Sequence, residues 1–143
     1  MAKRILVPVD AHEHNEAVVP LVAALARDAG STVRLLRVFP IPERVVGPLG
    51  RTVAYVDQEM ARLTSEGLDD LHGIETLLAG VPVESVVRFG EPAEEITFEA
   101  EAFDADLIAL TAERTGRLAG ALSPGLADRV ARAVDVPTLT LRS

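Results

Sequence analysis

The chain has 143 residues, no cysteine and a formal net charge of −8, a size that suits one domain burying about 68–70% of its unfolded surface. The lack of Cys excludes disulfides, thiolate metal sites and thiol nucleophiles. The acidic balance argues against nucleic acid, whose binding relies on clustered Lys and Arg. Hydrophobic residues make up 48% but aromatics only 3%, so a core has to be built from Val, Leu, Ile and Ala. The amino terminus shows no cationic region followed by an apolar stretch and cleavage site. No apolar run approaches the ~20 residues that cross a bilayer. A single cytoplasmic domain spanning residues 1–143, with no membrane partner, is expected.

In chain order, Lys3 to Asp10 (Lys-Arg-Ile-Leu-Val-Pro-Val-Asp) is a short branched apolar run ending on a carboxylate. It reads as a strand covered on both faces in a parallel sheet, with Asp10 at the mouth where open α/β folds place ligands. Asn15 can cap a helix to about Ala29, with Val18, Val22 and Leu25 at helical spacing and Gly30 as its stop. Thr32–Val38 reads as a second strand, less completely buried because it carries Arg34 and Arg37. A loop over 39–50, marked by Pro40, Pro42, Gly47, Pro48 and Gly50, leads to the longest predicted helix, about Thr52 to Ala79. Its apolar stripe is Val53, Val56, Met60, Leu63, Gly67, Leu71, Ile74 and Leu78, with Gly67 and Gly73 as weak points.

Val83–Phe89 is a third strand, followed by the turn Gly90-Glu91-Pro92 and a helix from Ala93 to about Phe103. On that helix Ile96, Ala100 and Phe103 share one side, while Glu94, Glu95, Glu99 and Glu101 read as a solvated face. Asp106–Thr111 is a fourth, central strand, and 115–122 a Gly-containing loop. Ser123 and Pro124 read as cap and first residue of a last helix to about Val134, before a final strand over Val136–Leu141. Five strands alternating with four helices give a parallel α/β sheet.

Several chemistries find no support. The Walker loop and the dinucleotide glycine fingerprint are absent. His12-Glu13-His14 reads as a solvated turn, since alternation spreads the side chains and no further ligand cluster accompanies them. His72 reads as a surface residue and Ser123 as a cap. A phosphoaccepting receiver domain would resemble a family with Asp ending the third strand and Lys near the fifth; here Arg88-Phe89-Gly90 and a strand without Lys stand there.

Val7-Pro8-Val9-Asp10, Leu35-Leu36-Arg37-Val38, Gly90-Glu91-Pro92-Ala93-Glu94-Glu95-Ile96, Ala105-Asp106-Leu107-Ile108 and Val136-Pro137 together resemble the universal stress protein family, over the whole chain and at the family's usual spacing. The resemblance implies a Rossmann-like three-layer α/β/α sandwich: a five-stranded parallel sheet in the order 3-2-1-4-5, with four helices. It also implies a topological switch between the first and fourth strands, where many members bind ATP. There the carboxylate ending the first strand takes up the nucleoside, and a glycine-rich loop after the fourth offers backbone N–H groups to phosphates.

The family's phosphate motif is Gly, two residues, Gly, nine residues, then Gly followed by Ser or Thr. Counted back from Pro137, it falls on Thr111, Arg114, Pro124 and Gly125, and none matches. Thr111 and Arg114 bring side chains where bare backbone is needed. Pro124 has no N–H and Gly125 no hydroxyl. The reading is a lost triphosphate cradle and no cofactor. The vestigial cleft consists of Asp10, Val38, Thr111, Arg114, Arg117, Ser123 and Gly125.

The alternative stays open that Gly116 and Gly120 serve in another register, or that Arg114 or Arg117 grips phosphate. The final strand lies at the sheet edge in this fold. The resemblance then implies a homodimer through Val136, Thr138, Leu139, Thr140 and Leu141. The expected function is a non-enzymatic stress-response protein acting through contacts with a protein partner. The alternative is an adenine-nucleotide sensor, with slow ATP hydrolysis as a third reading that lacks a dedicated base.

Overall fold

Ile5, Leu6 and Val7 are sealed from solvent and make β1 (Arg4–Pro8) the axis of the sheet. The computed structural model describes residues 3–9, 18–43, 45–50, 52–112 and 125–142. After β1 come α1 (Val18–Ala29), β2 (Thr32–Phe39), β3 (Val45–Val46), β4 (Thr52–Ala54) and α2 (Val56–Glu75). They are followed by β5 (Val83–Phe89), α3 (Pro92–Phe103), β6 (Leu107–Ala112), α4 (Leu126–Ala133) and β7 (Thr138–Arg142). Five strands form one sheet in the order β5-β2-β1-β6-β7, every neighbouring pair parallel. Counting those five alone, this is the expected 3-2-1-4-5.

The pleat sorts the side chains onto two faces. Ile5, Val7, Val9, Val33 and Leu35 join Val18, Val22, Ala26, Leu71 and Leu78 under α1 and α2. Leu6, Leu36, Ile108 and Leu110 join Ile96, Ala100, Phe103, Leu126 and Val130 under α3 and α4. Three layers result. The stripe expected of α1 is shifted slightly: Ala23 is buried and Leu25 is 39% exposed.

The long helix is shorter than its apolar stripe suggests. Tyr55 is extended (φ −93, ψ 161) and its N–H donates to Gln58 Oε1 at 3.0 Å, so helical backbone starts at Val56. The segment before it pairs instead, β4 running antiparallel to β3. At the far end the helix tightens into a 3-10 turn over Thr76–Leu78. Gly67 has a packing role: a Cβ there would lie 2.9 Å from Phe39 Cε2 and 3.1 Å from Val87 Cγ2. Bare backbone lets α2 approach the end of β2.

The glutamates of α3 divide: Glu94 and Glu101 are exposed as expected, whereas Glu95 is half-buried and Glu99 is not solvated. Glu99 is 3% exposed and accepts hydrogen bonds from Arg34 Nη1 and from Arg88 Nη1 at 2.9 Å. Arg88 Nε also donates to Glu95 Oε1 at 2.8 Å. Arg34 Nε and Nη2 donate to Glu84 Oε1 at 3.1 and 2.9 Å, and its guanidinium lies 4.2 Å over the Phe103 ring. Burial of Arg34 pulls its pKa down, but the hydrogen bonds to Glu84 and Glu99 outweigh this and hold it above the usual range. The reading of β2 as a partly buried strand holds for the same reason, since its arginine is matched from the neighbouring strand and the covering helix.

Removing one partner of a buried ion pair costs about 3–5 kcal/mol. The arginine side chains keep 20% and 31% exposure, so water recovers part of that. Glu99→Ala is expected to lower stability by about 2–3 kcal/mol in urea unfolding, with Glu99→Gln losing less. A loss below about 0.5 kcal/mol for Glu99→Ala would contradict this account of the network.

Candidate functional site at the mouth of the sheet

In an open parallel sheet, ligands bind beyond the carboxyl ends of the strands, where the chain's direction of travel across the sheet reverses. Here that point is between β1 and β6. The chain moves from β1 outward through β2 to β5, then returns over the opposite face through α3 to β6 on the other side of β1. The mouth is set by registers at the opposite, amino-terminal end. Asp106 Oδ2 accepts from the N–H of Lys3 at 2.8 Å and of Arg4 at 3.0 Å, tying the entry of β6 to the entry of β1. These two backbone hydrogen bonds, Lys3's being the stronger influence, hold the Asp106 carboxyl below the usual carboxylate range.

The turn into α3 is built the same way. Gly90 has φ +148, and a Cβ there would sit 2.7 Å from Glu95 Oε2. Glu91 caps α3, accepting from the Glu94 N–H at 2.8 Å, with Pro92 inside the first turn. That backbone hydrogen bond is the largest influence pulling the Glu91 pKa down, and Arg129, 2.8 Å from Glu91 Oε1, adds to it. Asp104, left-handed at φ 56, closes the helix with its N–H on Ala100 and Glu101 carbonyls.

Three of the predicted cleft residues fall within the described residues. Val38 lies two residues past Leu36, the partner of the last β1 residue, Pro8, and packs against the α3–α4 core. Thr111 is in β6, opposite Leu141. Gly125 precedes α4 at φ +80 with no side-chain cap. Asp10, Arg114, Arg117 and Ser123 lie outside the described residues, as do Asn15, the 115–122 loop, Pro124 and the His12-Glu13-His14 turn.

The start of α4 differs from expectation. The left-handed backbone of Gly125 interrupts helical geometry, so the first helical residue is Leu126 rather than Pro124. His72 is exposed, its Nε2 3.7 Å from Glu75 Oε2. Sequence reasoning missed one feature near the mouth. Arg37 lies 4.6 Å over the Phe39 ring, with its Nη1 buried and without a hydrogen-bond partner among the described residues. The run Arg37-Val38-Phe39 at a strand's carboxyl end was the available signal.

This topology, with its switch point beside the central strand, is that of a Rossmann-like open α/β domain. The model of the universal stress protein family matches residues 1–142, and the chain belongs to that family. Among solved structures it is similar to hypothetical protein MJ0577, at 25% identity over 99% of this chain and 96% of that one, with a TM-score of 0.77. It is similar also to a universal stress protein from Archaeoglobus fulgidus in complex with dAMP, at 23% identity, 96% coverage of each chain and a TM-score of 0.65. A universal stress protein in complex with cAMP matches at 16% identity, covering 99% of this chain and 97% of its own, with a TM-score of 0.65. No curated protein matches the chain.

The Asp106 tie carries a pH signature. A carboxyl whose folded pKa lies below its unfolded value of ~3.9 adds stability that is fully present above that value and is lost as pH falls through the folded pKa. The stability gap between the native protein and Asp106→Asn is therefore expected to be full at neutral pH and to narrow on acidification below about pH 4. Urea midpoints measured across that range check it, and a gap that does not change with pH would contradict it.

Proposed function

We propose that this chain is a cytoplasmic, non-enzymatic stress-response protein that works as a homodimer through protein contacts, with a mouth that does not hold ATP. The observation that carries this reading is the entrance to α4. Gly125, at the position of the family's Ser or Thr, stands as N-cap without a hydroxyl and in a left-handed conformation. The three other motif positions are Thr111, Arg114 and Pro124. Two of these add side chains where phosphate oxygens would meet backbone, and the third has no N–H to offer.

The second reading is favoured by the dAMP and cAMP complexes of similar folds. It is an adenine-nucleotide sensor in which Asp10 takes the nucleoside and Arg114 or Arg117 takes phosphate. Calorimetric titration with ATP and Mg²⁺ separates the two. No saturable heat is expected at physiological nucleotide concentration. Saturable binding that Asp10→Ala weakens would overturn the first reading in favour of the second.

The proposed dimer uses β7, an edge of the sheet. Ile108 N–H donates to the Pro137 carbonyl at 3.0 Å, so residues 137, 139 and 141 carry the ladder to β6. In a parallel ladder the alternate residues, Thr138 and Thr140, then turn their N–H and C=O groups to the free edge. Leu139 and Leu141 pack on the α1–α2 core, where replacement would disturb the fold itself. Thr140→Pro removes an outward N–H and leaves the ladder to β6 intact. Light scattering is expected to give a dimer for the native protein and a monomer for Thr140→Pro. A native monomer at micromolar concentration, or a variant that still dimerises, would contradict the proposal.

A further inference from the structure

A shallow groove runs along the outer side of α3 and α4. Its first depression, of about 190 Å³, is lined by Ala93, Glu94, Thr97, Phe98 and Ala133. The second, of about 200 Å³, lies between the last turn of α3 and the segment leading into β7, lined by residues that include Ala100, Glu101, Asp104, Ala133, Asp135 and Val136. Ala133 belongs to both, which makes the groove continuous. Each depression is smaller than the ~300–1,000 Å³ usual for small-molecule sites. Two linked shallow depressions suit successive side chains of a polypeptide better than one compact ligand.

Two independent features define the occupant. Phe98 is 50% exposed at the wall of the first depression, whereas Phe39 and Phe103 are both buried. The four carboxylates on the lining are Glu94, Glu101, Asp104 and Asp135, and no Lys or Arg lines either depression. Of the four, only Asp104 has an ion-pair partner among the described residues, Arg4 at 3.2 Å. Arg129 on α4 is tied to Glu91. The rim is therefore anionic, while the first depression is apolar.

From these features we infer that the α3–α4 groove docks a cationic amphipathic helix of a partner protein. The depressions are centred about seven residues apart along α3, which is ~10 Å at 1.5 Å per residue. An α-helix lying along the groove would seat apolar side chains at i and i+7 and point Lys or Arg toward the unpaired carboxylates. The acidic net charge of the chain makes a second copy of it a poor occupant of an acidic groove. The inference rests on the reading that the protein acts through protein contacts and gives that contact a place. Nucleotide binding at the mouth would leave it untouched, so the calorimetric test fails or succeeds separately.

The probe is a synthetic Lys/Ala/Leu helix about two heptads long, with leucines seven residues apart and lysines on the remaining face, titrated into the isotope-labelled full chain. Amide shift changes are expected on α3, α4 and the entry to β7, with weaker binding as salt rises. Phe98→Ser and Ala133→Gln, both on exposed positions, are each expected to weaken binding about tenfold or more without altering the thermal midpoint by more than a few degrees. A Glu-for-Lys peptide is expected not to bind. The inference is overturned by absence of shifts at millimolar peptide or by shifts centred elsewhere. Equal binding of both peptides, or a groove already covered by a second copy that Phe98→Ser releases, would overturn it equally.

Discussion

A carboxylate sealed against a sheet persists only where cations meet it, because an unpaired buried charge is far more costly than an unpaired neutral group. Glu99, held between Arg34 of β2 and Arg88 of β5, is that case. It fixes how α3 sits on the sheet, and with it the positions of Ile96, Ala100 and Phe103 in the core beneath. The crossing of α3 in turn delivers the chain to β6 on the far side of β1. The switch point, and the mouth above it, depend on that delivery.

The residues that mark the family in this chain are, where the structure describes them, largely scaffold. Gly90 leaves room for the Glu95 carboxylate that holds Arg88. Glu91 caps α3. Asp106 pins the entry of β6 to that of β1. Val7 and Pro8 are sealed within β1, and Val136 packs beside the α4 core. The partners described for them lie in the strands and in α3 and α4, so these residues serve the frame.

That role in the frame explains what was legible from residues alone. Strand order, the three layers and the helix from Pro92 to Phe103 followed from apolar runs, Gly and Pro punctuation and the family's motifs. The β3–β4 pair was not legible: strands of two and three residues amid Pro and Gly carry no period to read. The burial of Glu99 was hidden for a different reason. Its partners lie 65 and 11 residues away, and within Glu-Glu-Ile-Thr-Phe-Glu-Ala-Glu nothing local separates an inward glutamate from an outward one. Gly67 read as a weak point of a helix, when what it supplies is space for Phe39. At the site, Val38, Thr111 and Gly125 were legible as positions through the family's spacing, whereas the unpartnered Arg37 nitrogen depends on packing that spacing does not encode.

Shape and ligand are therefore separable inheritances: the α/β frame and its switch point are intact, and the proposal is that the mouth no longer retains a polyanion. Native mass spectrometry of the full chain, purified gently from cells without added nucleotide, tests this most directly. The expected mass is that of the polypeptide, alone or as a dimer. A stoichiometric adenine nucleotide carried through purification would contradict it.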